Sequence, residues 1–389
     1  MNRPPLRENG VAPLVFFTGG TALRALSRHL AALAVPAVHI VTTFDSGGST
    51  AVLRRAFAMP AVGDIRHRLG ALADPAVVPP RVLDIWEWRT PQDGDPDRLR
   101  EELRAIGEAW HSFWLDVPES FAAPLRRYFC DFLAQMPADF DPHGACFGNL
   151  VLAGGFLRHE RRLDPILAAC GRLFAVRGSV LPIVEGSFHL AAELQDGSIR
   201  IGQHRFGMPT QPVRRLFLTV HDPDHGVCEA TPCRPRIVTR AAAAIGAAGV
   251  LCYPMGSFYS SVLANLLPEG VGRHIAAADC PKVFIPNSGG DKECPSCTIA
   301  GQVDFLLRTL RADVPDADVS RLLTHVIIDG RQGRYEGRGD REYLQQLGIR
   351  VIDAAVVMPD EPQRHDPKAV GALLLRLRDE NRQESASHA

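Results

Sequence analysis

An α/β fold with a parallel sheet between helices is what this sequence predicts, on three observations. "PLVFFTGG" (13–20) and "AVHIVTTF" (37–44) are short apolar runs, and between them leucines fall at 23, 26, 30 and 33, a helical spacing. Strand, glycine turn, helix, strand is a right-handed βαβ unit and calls for parallel pairing. The same rhythm returns after residue 240. Finally, glycine-bearing turns at 18–21, 45–49 and 254–257 each join a strand end to a helix start, as parallel sheets require at their carboxyl edge.

Taken in order, residues 1–11 form a polar, Pro-rich leader, and the first βαβ unit follows. "GDIRHRLGALAD" (63–74) is a loop entering a helix. Residues 84–136, rich in Trp, Arg, Glu and Leu with little strand signal, read as a helical insertion. Residues 148–160 and 163–176 are two apolar helices. Four short strand-like runs then fill 179–220, with Asp196-Gly197 as a hairpin signal between the second and third. This reads as an antiparallel β excursion within the domain. A helix (240–247), the strand "GVLCYP", a helix from 258, the strand "KVFIPN", a helix (298–311) and the strand "THVIID" restore the alternation. A last strand, "IRVIDAAVV", precedes a helix from about 366, and residues 380–389 are expected to be a disordered tail. The expectation is one α/β domain over 12–365, with the helical insertion and the antiparallel excursion inside it.

Net charge is −1, so no field steers the chain to nucleic acid or to an acidic membrane. The longest apolar run, 241–253, is too short to cross a bilayer. Nine cysteines, an odd number, suit a reducing compartment, and a cytoplasmic location is expected. Base rates favour a homodimer.

The chemistry concentrates in the three turns. Glycine lets backbone N–H groups approach an oxyanion, and a helix N-terminus adds a favourable dipole. Gly19, Gly20 and Thr21 in the first turn, Gly47, Gly48 and Ser49 in the second, and Gly256, Ser257 and Ser260 in the third are therefore candidate phosphate contacts. Asp45 ends the second strand directly before its glycine loop, which suits a carboxylate meeting Mg²⁺ or a phosphate-bearing group. It also fits a helix N-cap, worth on the order of 1 kcal/mol. No G-x-G-x-x-G follows the first strand, which argues against a nicotinamide-dependent dehydrogenase. Separately, Cys294 and Cys297 form a C-x-x-C, and His221, His225, Cys228 and Cys233 lie upstream. These could close a tetrahedral Zn²⁺ site, with Cys228, Cys233, Cys294 and Cys297 as ligands. A redox pair or two unrelated loops are the other readings. Trp110 and Trp114, at i and i+4, read as core.

The ordered set "FFTGGTALRALSRHL", "VTTFDSGGSTAVLRR", "VGDIRHRLGALAD", "GNLVLAG", "VLPIVEGSFHLAAELQDG", "MGSFYSSVLANLLPEGV", "KVFIPN" and "RHDPKAV" resembles the superfamily of CofD, the 2-phospho-L-lactate transferase, and YvcK, the gluconeogenesis factor. The resemblance implies a Rossmann-like sheet whose carboxyl edge binds a nucleoside-diphosphate-linked small molecule. In the transferase branch, a phospho-organic group passes from such a donor to an acceptor alcohol with Mg²⁺. In the other branch, a UDP-sugar is bound and the protein regulates carbon use and cell-wall growth. Carried over by position, Asp45 is the metal or substrate carboxylate, and Asp64 and Arg66 belong to a catalytic "GDIR" loop. Asn149 faces the ligand, and Asn287 follows the next strand. Arg66 also fits a fold-stabilising ion pair. This chain departs from the pattern where Ser46 replaces a second acid, where His67 replaces an Asn, and where Tyr253 and Met255 are expected to alter the cleft wall.

Overall fold

The computed structural model describes residues 11–202, 211–222, 230–295, 297–337 and 340–387. Strands β1 (Leu14–Thr18), β2 (Ala37–Val41), β3 (Ser179–Pro182), β7 (Val250–Tyr253), β8 (Lys282–Phe284), β9 (His325–Ile328) and β10 (Arg350–Asp353) make one seven-stranded sheet. Its order is β10-β9-β8-β7-β1-β2-β3, and every adjacent pair is parallel. The chain steps from β1 outward to β3, then returns to the other side of β1 as β7. The switch point therefore lies between β1 and β7, where the carboxyl ends leave a crevice.

Alternation explains why the strands read as unbroken apolar runs. Val15 and Phe17 point into the core on one face, Leu14 and Phe16 into the core on the other. A strand covered on both faces needs apolar residues at every position. His39 sits fully buried in β2, stacked on Phe16 at 5.3 Å. Its pKa is lowered by burial, so it is neutral core.

Helices α1 (Arg24–Ala32), α2 (Gly48–Phe57) and α3 (Gly63–Leu72) follow the first two strands. The helical insertion holds α4 (Pro80–Glu87), α5 (Pro96–Ile106) and α6 (Glu119–Gln135), so it begins at residue 80 rather than 84. It packs on α7 (Phe147–Arg158) and α8 (Leu163–Leu173) around a second core. Here "LAGG" has a steric meaning. A Cβ at Gly154 would lie 1.8 Å from Tyr128 O, so α6 and α7 approach backbone to backbone. Trp114 is buried as expected, as is Trp86, whereas Trp110 is 79% exposed, against the expectation that it is core. The helical spacing fails there because α5 has already ended, and the chain turns before a 3₁₀ turn at Ser112–Trp114.

The β excursion is smaller than the sequence suggests. Its first run is β3, the edge of the main sheet, paired with β2. Only β4 (His189–Leu194), β5 (Ile199–Ile201) and β6 (Val213–Thr219) form the separate antiparallel sheet. After it come α9 (Thr239–Gly246), α10 (Val271–Ala277), α11 (Ile299–Arg311), α12 (Val319–Leu322) and α13 (Asp340–Gln346), with a small hairpin of β11 (Val357–Met358) and β12 (Glu361–His365). The segment following β7 is not an α-helix but a π turn, Phe258–Val262, running into a 3₁₀ turn, Leu263–Leu266. The expected disordered tail is instead α14 (Pro367–Ser387), and the domain extends past residue 365. Val370, Leu373, Leu374 and Leu377 pack α14 into the core shared with α1, which gives a polar-looking C-terminus a reason to be helical. No described helix is long and apolar enough to cross a membrane.

Candidate functional site

The site lies at the carboxyl ends of β1, β2 and β7. Asp45 and Asp64 face each other there from different elements. Asp45 lies four residues beyond β2. Its Oδ1 accepts from Gly47 N at 3.0 Å, which folds the loop into an Asx turn. It is not the N-cap of α2; that residue is Gly47, and no side chain caps the helix. Asp64 is in the first turn of α3, where Thr42 Oγ1 donates to its Oδ2 at 3.0 Å.

Two close approaches place the carboxylates. A Cβ at Gly63 would meet Asp45 Oδ2 at 3.2 Å, and one at Gly20 would meet Asp64 Oδ1 at 2.5 Å. Asp64 thus fills the hollow under the Gly19-Gly20 turn, beside Asp45. Burial, then the charge on Asp45, pushes Asp64 up to about 7. Its place at a helix N-terminus, worth about 0.3–1 kcal/mol, does not offset this. Burial raises Asp45 as well, against the hydrogen bond from Gly47. Two partly buried carboxylates without a bridging cation are costly together. Two neighbouring hard oxygen donors are the ligand type that Mg²⁺ takes, one or two carboxylates with the shell completed by water or substrate oxygens.

Two arginines that sequence reasoning missed hold the turns in shape. Arg68 is fully buried and donates to Thr18 Oγ1, Gly19 O, Gly20 O and Ser27 Oγ, at 2.7–3.0 Å. With those carbonyls turned inward, the amides of the first turn face the crevice. Arg54 does the same for the second turn, donating to Phe44 O at 3.3 Å, Asp45 O at 3.0 Å and Phe188 O. Their signal was present as arginines on otherwise apolar helix faces, but only the fold shows what they reach.

Arg66 is different. It is 1% exposed, and its Nε and Nη1 have no hydrogen-bond partner among the described residues. It makes no ion pair there, and its Nη2 lies 2.7 Å from the His67 ring. Burial and then the Arg66 charge hold His67 down to about 4, so the ring is neutral. Asn149 is also buried, with Oδ1 unpartnered among the described residues. Its Nδ2 reaches Ser49 Oγ at 3.4 Å, and Cys146 N, at the start of α7, donates to the same oxygen at 3.1 Å. A Cβ at Gly148 would meet Arg66 Cδ at 2.8 Å, so Arg66 lies against the same first turn of α7 as Asn149 and Ser49. An Arg66→Met variant is expected to melt at or above the wild-type temperature, because it removes a buried charge with unmade hydrogen bonds. Its affinity for an anionic ligand should fall at least about tenfold, by roughly 1.4 kcal/mol. A loss of stability with unchanged affinity would make Arg66 a structural residue.

The third turn is arranged otherwise. Gly256 N donates to Asn287 Oδ1 at 2.8 Å, and Phe258 N to Asp291 Oδ2 at 2.7 Å. Tyr259 N and Ser260 N donate to Glu293 Oε2, and Ser260 Oγ to Glu293 Oε1. Ser260 and Asn287 are thus spent within the chain, and Ser257 is the exposed member. Thr21 and Gly48 are also exposed, and Gly48 has φ +48°. Tyr253 does not line the cleft: it is fully buried and donates to Leu322 O at 2.9 Å. A cavity of about 280 Å³ adjoins the second turn, lined by Ser46, Arg54, Arg55, Ser187, His189 and Asp222.

Of the zinc candidates, Cys228 and His225 lie outside the described residues. No group of three His, Cys, Asp or Glu gathers for a metal among those described. Cys233 sits by the antiparallel sheet, its N–H bonded to Leu218 O, and Cys294 and Cys297 share a turn elsewhere.

Carboxylates and glycine turns at the switch point of a seven-stranded parallel sheet make this a Rossmann-like α/β protein. The family described as 2-phospho-L-lactate transferase CofD matches residues 14–357, and the chain belongs to it. It is 28% identical over 378 residues to the gluconeogenesis factor of Bacillus subtilis, covering 94% of this chain and 97% of that one. To the gluconeogenesis factor of Halalkalibacterium halodurans it is 27% identical, over 93% and 95% of the two chains. A crystal structure of a UPF0052 family member from Bacillus halodurans superposes with a TM-score of 0.68 at 24% identity. It covers 94% of this chain and 99% of its own, and confirms the fold.

Proposed function

We propose that the chain binds a nucleoside-diphosphate-linked small molecule across its carboxyl edge, with Asp45 and Asp64 as the residues that would hold Mg²⁺, and moves its phospho-organic group to an acceptor alcohol. The observation that carries this is the Asp45–Asp64 pair under the Gly19-Gly20 turn. Amides of Gly19, Gly20 and Thr21, oriented by Arg68, bind the diphosphate oxygens. Arg66 neutralises charge from the opposite wall, beside Asn149 and Ser49. Mg²⁺, when bound, supplies the remaining charge neutralisation. Group transfer from a diphosphate asks for positioning and electrostatics rather than a protein nucleophile, so this inventory suffices. The described cysteines are all free, which suits a cytoplasmic location.

A second reading, a non-catalytic nucleotide-sugar-binding regulator, draws on the third turn. With its amides held by Asp291 and Glu293, that turn offers an incoming acceptor few donors. The relatives are named gluconeogenesis factors, a name that assigns them no transferase step.

A thermal-shift screen of GDP, GTP, UDP-sugars and NAD, with and without Mg²⁺, tests both readings. A Mg²⁺-dependent shift followed by release of the nucleoside phosphate in the presence of an alcohol supports transfer. A UDP-sugar shift independent of metal supports the regulator. No shift with any nucleotide sinks both.

A further inference from the structure

The loop that caps the third turn carries a second chemistry. Cys294 and Cys297 close one turn, with Cys297 N donating to Cys294 O at 3.1 Å. Cys294 is 5% exposed, while Cys297 is half-buried and reachable. Tyr259 Oη lies 3.9 Å from Cys297 Sγ, and Gln302 Nε2 donates to Cys294 Sγ at 3.8 Å. Cys297 immediately precedes Thr298, the N-cap of the 13-residue helix α11. A helix N-terminus favours the thiolate there. The hydrogen bond from Cys294 lowers the Cys297 thiol, and the same bond, with burial, raises Cys294. One sulfur is thus accessible and activated, and its partner is sheltered within reach.

We propose that Cys294 and Cys297 form a thiol–disulfide exchange site that reacts with low-molecular-weight disulfides, Cys297 attacking and Cys294 resolving. The Cys297 thiolate attacks one sulfur of the disulfide, forming a mixed disulfide and releasing one thiolate. Cys294 then gives up its proton and attacks the Cys297 sulfur. The Cys294–Cys297 bond forms and the second small thiol leaves. Two protein thiols are oxidised and one disulfide is reduced to two thiols, so the electrons balance. Glu293, the neighbour of Cys294, holds the amides of Tyr259 and Ser260. The bond therefore closes within the loop that caps the third turn of the ligand edge.

The test uses the full-length protein, oxidised glutathione and peptide mass mapping. In the reduced protein, iodoacetamide should label Cys297 at least about tenfold faster than the exposed Cys130, whose thiol is raised by desolvation against the pull of Arg126. Glutathione disulfide should yield an internal Cys294–Cys297 bond, and dithiothreitol should reverse it. Cys294→Ser should stop at a glutathione adduct on Cys297, and Cys297→Ser should give neither product at this loop. Melting curves of both variants verify that they are folded. Equal labelling of Cys297 and Cys130 would overturn the proposal, as would adduct without internal bond in the wild type. So would one zinc per chain that the Cys297→Ser variant loses. None of these readouts needs a nucleotide, so the result is separable from the ligand reading.

Discussion

Asp64→Asn is expected to abolish the Mg²⁺ response of this protein and to flatten part of its pH–stability profile. The two effects have one cause. The folded chain keeps a proton on Asp64 up to about pH 7, whereas the unfolded chain releases it near 3.8. The stability this group contributes is therefore fully present below about pH 4 and is lost as pH rises through about 7. Each tenfold change in proton affinity between the two states is worth about 1.4 kcal/mol. Asp64 is partly rather than fully buried as a residue, so the whole effect is a few kcal/mol at most. Asn carries no charge at any pH. The melting temperature of the variant, relative to wild type, should therefore climb between pH 5 and pH 8, by several degrees. A cation between the two carboxylates reverses the penalty for ionising Asp64. Mg²⁺ should thus stabilise the wild type more at pH 8 than at pH 6, and should leave the variant unmoved. Nucleotide affinity in Mg²⁺ should fall at least about tenfold, or about 1.4 kcal/mol. An equal Mg²⁺ shift in the variant and the wild type would show that the pair holds no metal.

Much of this was readable in the chain before any fold. The βαβ start, the three turns and Asp45 are local patterns, and local patterns survive translation into structure. The Asp45–Asp64 pair is a different kind of fact. It joins residues on either side of α2, which no local pattern shows. The third turn misled for the opposite reason. "MGSFYSS" has the residues of an anion site, but Asp291 and Glu293, more than thirty residues later, take its hydrogens first. Ser179–Pro182 looked like the first strand of the antiparallel excursion because a β-strand's partner is not written in its own residues. The tail from residue 380 looked disordered because it is polar, but it continues a helix whose Val370, Leu373, Leu374 and Leu377 are anchored in the core shared with α1.

Arg68→Met should be the most destabilising single change at the site, costing about 3 kcal/mol or more. Met matches the arginine stem in length and suits an apolar pocket, so little is lost in packing. What is lost is a guanidinium that four acceptors share. Hydrogen bonds to a charged group contribute about 1.5–3 kcal/mol each, and buried carbonyls left unmade cost a further share. Burial lowers Arg68 to about 10, which still leaves it charged at neutral pH. Thr18 Oγ1 still donates to Gly19 O, and Ser27 Oγ to Leu23 O, so the deficit falls mainly on the Gly20 carbonyl. The Gly19 and Gly20 carbonyls set which way the first turn presents its amides. The variant should therefore unfold at a markedly lower urea concentration and, at temperatures where it is still folded, bind nucleotide more weakly. Arg68→Lys separates charge from geometry. An ammonium keeps the charge but cannot span the turn as the planar fork does, so only partial recovery of the urea midpoint is expected. Full recovery by Lys would mean that the charge beside Asp64 matters more than the fork. An Arg68→Met midpoint equal to wild type would remove Arg68 from any account of how the turn is held. Arg66→Met is the contrasting case two residues away, expected to spare stability and weaken binding. Between them, the two variants separate the arginine that shapes the site from the one that serves its ligand.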